Sequence, residues 1–238
     1  NLYGEPGTGK SITAEAIAKA LGRKMIEVNY ADIQSEKWGG TEKRLSALFK
    51  HAEDNGVVIF MDEADGLMGK RSSAGANSDV TNQIKSHLLT LIERSNVFII
   101  YATNLFKNMD RAFFRRILFH VNYPMPKYNE LVELWKLHLG SDNLPKIENE
   151  FSYEELAKMS ENLLSGGDIK NLTLKLCVKI GVGKIPALTN DIVKNEIDLY
   201  QKSLNDSKGI EMREMSKEEM EDLKKNDKET YNKLTDNN

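Results

Sequence analysis

The run Gly4-Glu5-Pro6-Gly7-Thr8-Gly9-Lys10-Ser11 constrains this chain more than any other feature. Its spacing, G-x-x-x-x-G-K-[ST], is that of a phosphate-binding loop between a strand and a helix. Glycines let backbone N–H groups turn inward around phosphate oxygens, and the helix that follows adds its positive end. Lys10 is placed to reach the β- and γ-phosphates of a nucleotide, and the Ser11 hydroxyl to ligate Mg²⁺. Beyond the loop, Ile12, Ala16, Ile17, Ala20 and Leu21 recur at helical spacing and predict one apolar face. Gly22 is placed to stop that helix.

The next segments alternate. Met25–Val28 reads as a short strand, and Glu42–Asp54 as an amphipathic helix through Leu45, Leu48, Phe49 and Ala52, broken by Asn55-Gly56. Val57–Met61 is a continuous apolar run and Val97–Ala102 another, both fitting buried strands and both far too short to cross a bilayer. Between them Lys70–Ser78 is a polar loop, and Asp79 is the expected N-cap of a helix carrying Ile84, Leu88, Leu91 and Ile92. Phe119–Tyr123 reads as a further strand. Strands alternating with helices predict a parallel sheet covered on both faces.

Pro124-Met125-Pro126 marks a boundary, and after it the strand signals stop. Helices are predicted over 128–139, 152–160, 166–181 and 189–204. The chain thus divides into an α/β region at 1–125, a small helical domain at 126–204 and a charged, flexible tail at 205–238. Ten of the 36 acids and seven of the 33 bases lie in that tail, which leaves 26 of each in residues 1–204. A neutral body and a net charge of −3 give no electrostatic footprint for binding nucleic acid unaided. The single cysteine, Cys177, excludes an intrachain disulfide and points to a reducing compartment, the cytoplasm. The 238 residues are enough to bury a substantial core.

Asp62-Glu63 follow the apolar run directly. Ligands sit at the carboxyl ends of parallel strands, the edge that also holds the phosphate loop. There Asp62 would hold Mg²⁺ through its water shell and Glu63 would orient the attacking water. The nearby Asp65 has no role on this reading. None of His51, His87, His120 and His138 lies in a zinc-protease pattern.

A phosphate loop, an apolar strand ending Asp62-Glu63-Ala64-Asp65 and a strand ending Ala102-Thr103-Asn104 together resemble the AAA+ ATPases, and among them the AAA family in the narrow sense. The resemblance runs from Asn1 to about Leu204. It implies a P-loop NTPase sheet sandwiched by helices, with a C-terminal helical lid. It also implies ATP and Mg²⁺ as ligands, a homo-oligomeric ring, expected to be a hexamer, and a protein substrate remodelled or unfolded by it. The strand before the loop would be central, and only Asn1–Tyr3 of it are present. The chain therefore reads as a fragment, with the adenine-contacting segment and any recruiting domain, second ring or anchor upstream.

The resemblance assigns further roles. Gly4, Glu5, Pro6, Gly7, Thr8, Gly9, Lys10, Ser11 and Ile12 would bind the nucleotide, with Gly166 and Gly167 near its base and sugar. Asn104 would be the sensor facing the γ-phosphate or attacking water. Arg115 and Arg116 fall in the segment that carries arginine fingers into a neighbouring subunit, and which of the two acts is open. Lys37, Trp38 and Gly39 occupy the first pore loop, where a substrate chain would be gripped; Trp38 folded onto the domain is the alternative. Ser165 with Asp168 also fits a capping box, while Cys177 and Trp135 read as core. Two rivals stand beside the remodelling ATPase: a nucleotide-gated binding module with little hydrolysis, and a DNA-remodelling AAA+ protein.

Overall fold

The computed structural model describes residues 1–29, 33, 39–69, 78–140 and 152–214. Lys37, Trp38 and most of the polar loop at 70–78 lie outside the described residues, as do residues 215–238. The described residues fall into two compact units, one drawn from residues 1–126 with Leu164–Asp168 and the other from residues 127–140, 152–163 and 169–214.

The first unit is built on strands β1 (Leu2–Gly4), β2 (Met25–Asn29), β3 (Val58–Asp62), β4 (Ile99–Thr103) and β5 (Val121–Tyr123). They pair in the order β2-β3-β4-β1-β5, and every pairing is parallel. Strand residues alternate between faces, and two cores result. Ile59, Met61 and Tyr101 pack with Leu45, Phe49, Ile84 and Leu88 on one side. Val58, Phe60, Ile100 and Ala102 pack with Ala14 and Ala18 on the other. The helices supplying these faces are α1 (Lys10–Ala20), α2 (Gly40–Asn55) and α4 (Ser78–Arg94), with one-turn helices α3 (Asp65–Met68) just after β3 and α5 (Arg111–Phe114) in the connection from β4 to β5.

Several local expectations are corrected. The buried residues of α1 are Lys10, Ala14 and Ala18, and Ile17 packs half-buried against the same core as expected, whereas Ile12 is 69% exposed and Ala16, Ala20 and Leu21 face solvent. Alanines let the helix approach the sheet closely, and that close packing outweighs the pull of the larger apolar residues. Helix α4 begins at Ser78, so Asp79 lies in its first turn and not at its cap. Phe119 is 75% exposed, and β5 begins two residues later.

The second unit contains α6 (Tyr128–Leu139), α7 (Tyr153–Ser160), most of α8 (Gly166–Gly181) and α9 (Asn190–Glu214). Its core includes Leu131, Trp135, Leu139, Leu156, Leu172, Leu176, Leu188 and Val193. The Trp135 indole N–H donates to Ser160 Oγ at 3.0 Å, and Ser160 donates on to the Leu156 carbonyl at 2.6 Å. Truncating so buried an aromatic costs about 3–5 kcal/mol. Glu196 is buried on α9, held by Lys175 at 2.8 Å and by Lys179, both on α8. Burial pushes its carboxyl up, but hydrogen bonds from the two lysines outweigh that and hold it below the usual carboxylate range. Cys177 is half-buried and not full core. Helix α9 runs on to Glu214, ten residues into the segment expected to be a flexible tail. No helix among the described residues is long and apolar enough to cross a membrane.

Candidate active site

Strand register assembles this site. Tyr3 pairs with Thr103, so the loop leaving β1 at Gly4 and the turn leaving β4 at Asn104 emerge side by side. Gly9, at φ 98°, caps α1 without a side-chain hydrogen bond. The first backbone N–H groups of α1 are therefore not taken up by a capping side chain, the arrangement that binds phosphate. Thr8 Oγ1 donates to the Glu5 carbonyl at 2.7 Å and tightens the loop.

Lys10 is the first residue of α1 and only 8% exposed. Its Nζ donates to the carbonyls of Gly4 (2.9 Å) and Glu5 (2.8 Å) and to Asn104 Oδ1 (2.7 Å). An ammonium has three protons, and these three oxygens hold it at the centre of the loop. Burial pulls its pKa below the ordinary lysine value, while the charges of Asp62, Glu5 and Asp65 favour the cation.

The next residue, Ser11, donates from Oγ to Asp62 Oδ2 at 3.3 Å. These are hard oxygen donors, one at the start of α1 and one at the end of β3. Such a pair suits Mg²⁺, which takes one or two protein oxygens and completes its shell with water and phosphate. Among the described residues no group of three or more His, Cys, Asp or Glu forms a separate metal cluster.

Glu63 is exposed and adopts φ 49°, a left-handed conformation uncommon outside glycine. Its N–H donates to Asp62 Oδ1 at 2.8 Å. The carboxylates of Asp62 and Glu63 are consecutive in sequence, and this turn gives them different surroundings. Strain of about 1–3 kcal/mol at such a position is a pointer to function.

Gly167 also meets the phosphate loop. Its N–H donates to the Gly7 carbonyl at 2.8 Å, and a Cβ on Gly167 would stand 2.9 Å from Gly7 Cα. A Cβ on Gly7 would in turn meet Ser165 Oγ at 2.3 Å. Only glycines permit this backbone-to-backbone approach. The capping box is present: Ser165 N–H donates to Asp168 Oδ2 at 2.9 Å, and Asp168 N–H donates to Ser165 Oγ at 3.3 Å. Gly166 is the first residue of α8.

The two candidate fingers differ. Arg116 donates from Nε to Glu93 Oε1 at 2.7 Å and from Nη1 to the Ala112 carbonyl at 2.9 Å, and its Nη2 lies 2.6 Å from Glu93 Oε1. Arg115 is exposed, and no side-chain partner for it occurs among the described residues. Neither arginine bonds to Lys10, Asp62 or Glu63. Gly39, the one described residue of the expected pore loop, caps α2. Sequence reasoning missed Glu93, and it found no role for Asp65, which binds Thr103 and Leu105.

Residues 1–125 match the family described as ATPase family associated with various cellular activities (AAA). The chain belongs to the AAA family of ATPases. It is similar to the protein SUPPRESSOR OF K(+) TRANSPORT GROWTH DEFECT 1 of Arabidopsis thaliana, 33% identical over 184 residues, 75% of this chain and 40% of that protein. It is similar to a cell division cycle protein 48 homolog of Archaeoglobus fulgidus, 33% identical over 241 aligned residues, 98% of this chain and 32% of that protein. A third relative is the 26S proteasome subunit RPT4 of Saccharomyces cerevisiae, 32% identical over 180 residues, 71% of this chain and 40% of that protein. The chain thus spans 32–40% of the length of these relatives.

Proposed function

We propose that this AAA chain binds ATP with Mg²⁺ at Lys10, Ser11 and Asp62 and hydrolyses it to ADP and phosphate, driving the remodelling of a protein substrate. The observation that carries this reading is the placement of Lys10 Nζ between the loop carbonyls and Asn104, with the Ser11–Asp62 oxygen pair one residue away. Mg²⁺, when bound, would neutralise charge on the β- and γ-phosphates.

The protein's own groups do the rest by position and charge. Backbone N–H groups of the loop between Gly4 and Ile12, Pro6 having none, hold the phosphates, and Lys10 places its cation on them. Glu63 accepts a hydrogen bond from a water and aims it at the γ-phosphorus. Asn104 holds the far side of the γ-phosphate or the water itself. Charge on the transferring group is met by an arginine of a neighbouring copy, and a planar guanidinium suits that task. The exposure of Arg115 at the C-terminal end of α5 supports delivery to a second copy, in a ring for which a hexamer is the working expectation.

In this reading the segment Lys37-Trp38-Gly39, immediately before α2, contacts the substrate chain in the central pore. The similarity to the cell division cycle protein 48 homolog and to a proteasome subunit supports a protein substrate. An intracellular setting belongs to the same reading. The test is titration of Mg·ATP onto the complete protein. Lys10→Ala is expected to abolish binding, and unchanged affinity in that variant would refute the site.

A further inference from the structure

The acidic stretch after β3 contains one carboxylate that the reaction above leaves unused. Asp65 opens the one-turn helix α3. Its Oδ1 accepts a hydrogen bond from the Thr103 hydroxyl and another from the Leu105 N–H at 3.3 Å. The Leu105 N–H also reaches Thr103 Oγ1 at 3.0 Å, so the three groups close a small ring. Thr103 and Leu105 are the two chain neighbours of Asn104. One carboxylate oxygen therefore holds the Thr103 side chain on one side of that residue and the Leu105 backbone on the other.

The grip is anchored from the β3 side as well. Ala64 N–H donates to the Ala102 carbonyl at 3.0 Å, one residue earlier in each segment. At the far end of α3 the Met68 carbonyl accepts from Asp110 N–H at 2.7 Å. Thr103 is buried at 3%, whereas Asn104 is exposed. An exposed Asn at the end of a strand has free rotamers and a loose turn beneath it. Its amide nonetheless meets Lys10 Nζ at 2.7 Å, and something must fix the turn for that contact to persist. A charged acceptor makes hydrogen bonds about twice as strong as a neutral one, and here it makes two.

We infer that Asp65 is a positioning residue for Asn104, fixing the turn after β4 so that the Asn104 amide stays aligned between Lys10 and the γ-phosphate. This inference rests on the reading of the site given above. Asp65 touches no phosphate in it; the carboxylate works through Asn104. Because misplacing a reacting partner by about 1 Å can cost about 100-fold in rate, loss of the grip should appear in turnover and not in nucleotide affinity.

The experiment is steady-state ATP hydrolysis by the complete protein, with kcat and KM measured for Asp65→Ala, Asp65→Asn, Asn104→Ala and the Asp65→Ala/Asn104→Ala double variant. Asp65→Ala is expected to lower kcat about 10- to 100-fold with KM within about threefold of wild type. Asp65→Asn should recover most of the loss, because an amide oxygen still accepts from Thr103 and Leu105. The double variant should be no slower than Asn104→Ala alone, since the two residues act as one unit. A wild-type kcat in Asp65→Ala would overturn the inference, as would losses that simply multiply in the double variant, or no recovery in Asp65→Asn. If Asp65→Ala does not fold, Thr103→Val against Thr103→Ser makes the same comparison, with Val slow and Ser restored. Wild-type hydrolysis by both Lys10→Ala and Asn104→Ala would instead show that the underlying site reading fails.

Discussion

Lys10 Nζ and Asn104 Oδ1 are joined by a 2.7 Å hydrogen bond although 94 positions separate them in the chain. The sheet makes this contact. β1 lies between β4 and β5, and the pairing of Tyr3 with Thr103 sets Gly4 and Asn104 level at the same edge. A register slip of one residue would turn Ala102 and Ile100 out of their core and separate the pair. The chemistry of the site therefore depends on a buried parallel ladder as much as on the loop.

Gly167 tests how tightly the loop depends on its support. A methyl group there would meet Gly7 Cα at 2.9 Å, and the contact is backbone against backbone. No flexible side chain can yield, so Gly167→Ala should displace the phosphate loop. Affinity for Mg·ATP is expected to fall about tenfold or more, a loss of about 1.4 kcal/mol, by calorimetric titration. Unchanged affinity would show that the loop holds its shape without Gly167.

The adjacent arginines should behave differently. Arg116 is already engaged by Glu93 and the Ala112 carbonyl, whereas Arg115 is exposed. Arg115→Ala should leave ATP binding intact and lower kcat by about 10³-fold, the magnitude of a lost arginine finger. Arg116→Ala should lower kcat much less. Co-assembly with Glu63→Gln subunits, which keep Arg115, should restore turnover to Arg115→Ala subunits. Absence of rescue would contradict delivery between copies.

Glu196 gives the helical unit an acid limit. Its folded pKa lies below the ordinary value of 4.5, so the unfolded chain binds a proton first as pH falls. The stability it contributes is present above about pH 4.5 and is lost as pH drops through the folded pKa. Thermal melts of wild type should fall more steeply than those of Glu196→Gln as pH is lowered through 4.5 and below it. Parallel curves would remove this assignment.

The α/β alternation was legible in the sequence because buried parallel strands read as unbroken apolar runs, as Val57–Met61 does. Lys10, Ser11, Asp62 and Asn104 were legible because their motifs are local, and the structure brings these four together. Other features were not. The apolar face of α1 was misread, because alanine packing against a sheet carries a weaker signal than Ile12. The length of α9 was missed because a charged, polar sequence can continue a helix whose first turns are anchored by packing. The Asp65–Thr103 and Glu93–Arg116 pairs span 38 and 23 positions, and such pairings arise only from the tertiary fold. The packing of Gly167 on Gly7 is a role that spacing did not reveal.

The central claim is that Glu63 directs water at ATP held by its neighbours. Glu63→Gln keeps the size of the side chain but replaces one acceptor oxygen by an NH2 donor and removes the negative charge. Single-turnover hydrolysis of Mg·ATP by the complete protein, read beside equilibrium binding, tests the claim most directly. The account predicts that Glu63→Gln binds ATP as wild type does and hydrolyses it at least about 100-fold more slowly. Hydrolysis at the wild-type rate in that variant would contradict it.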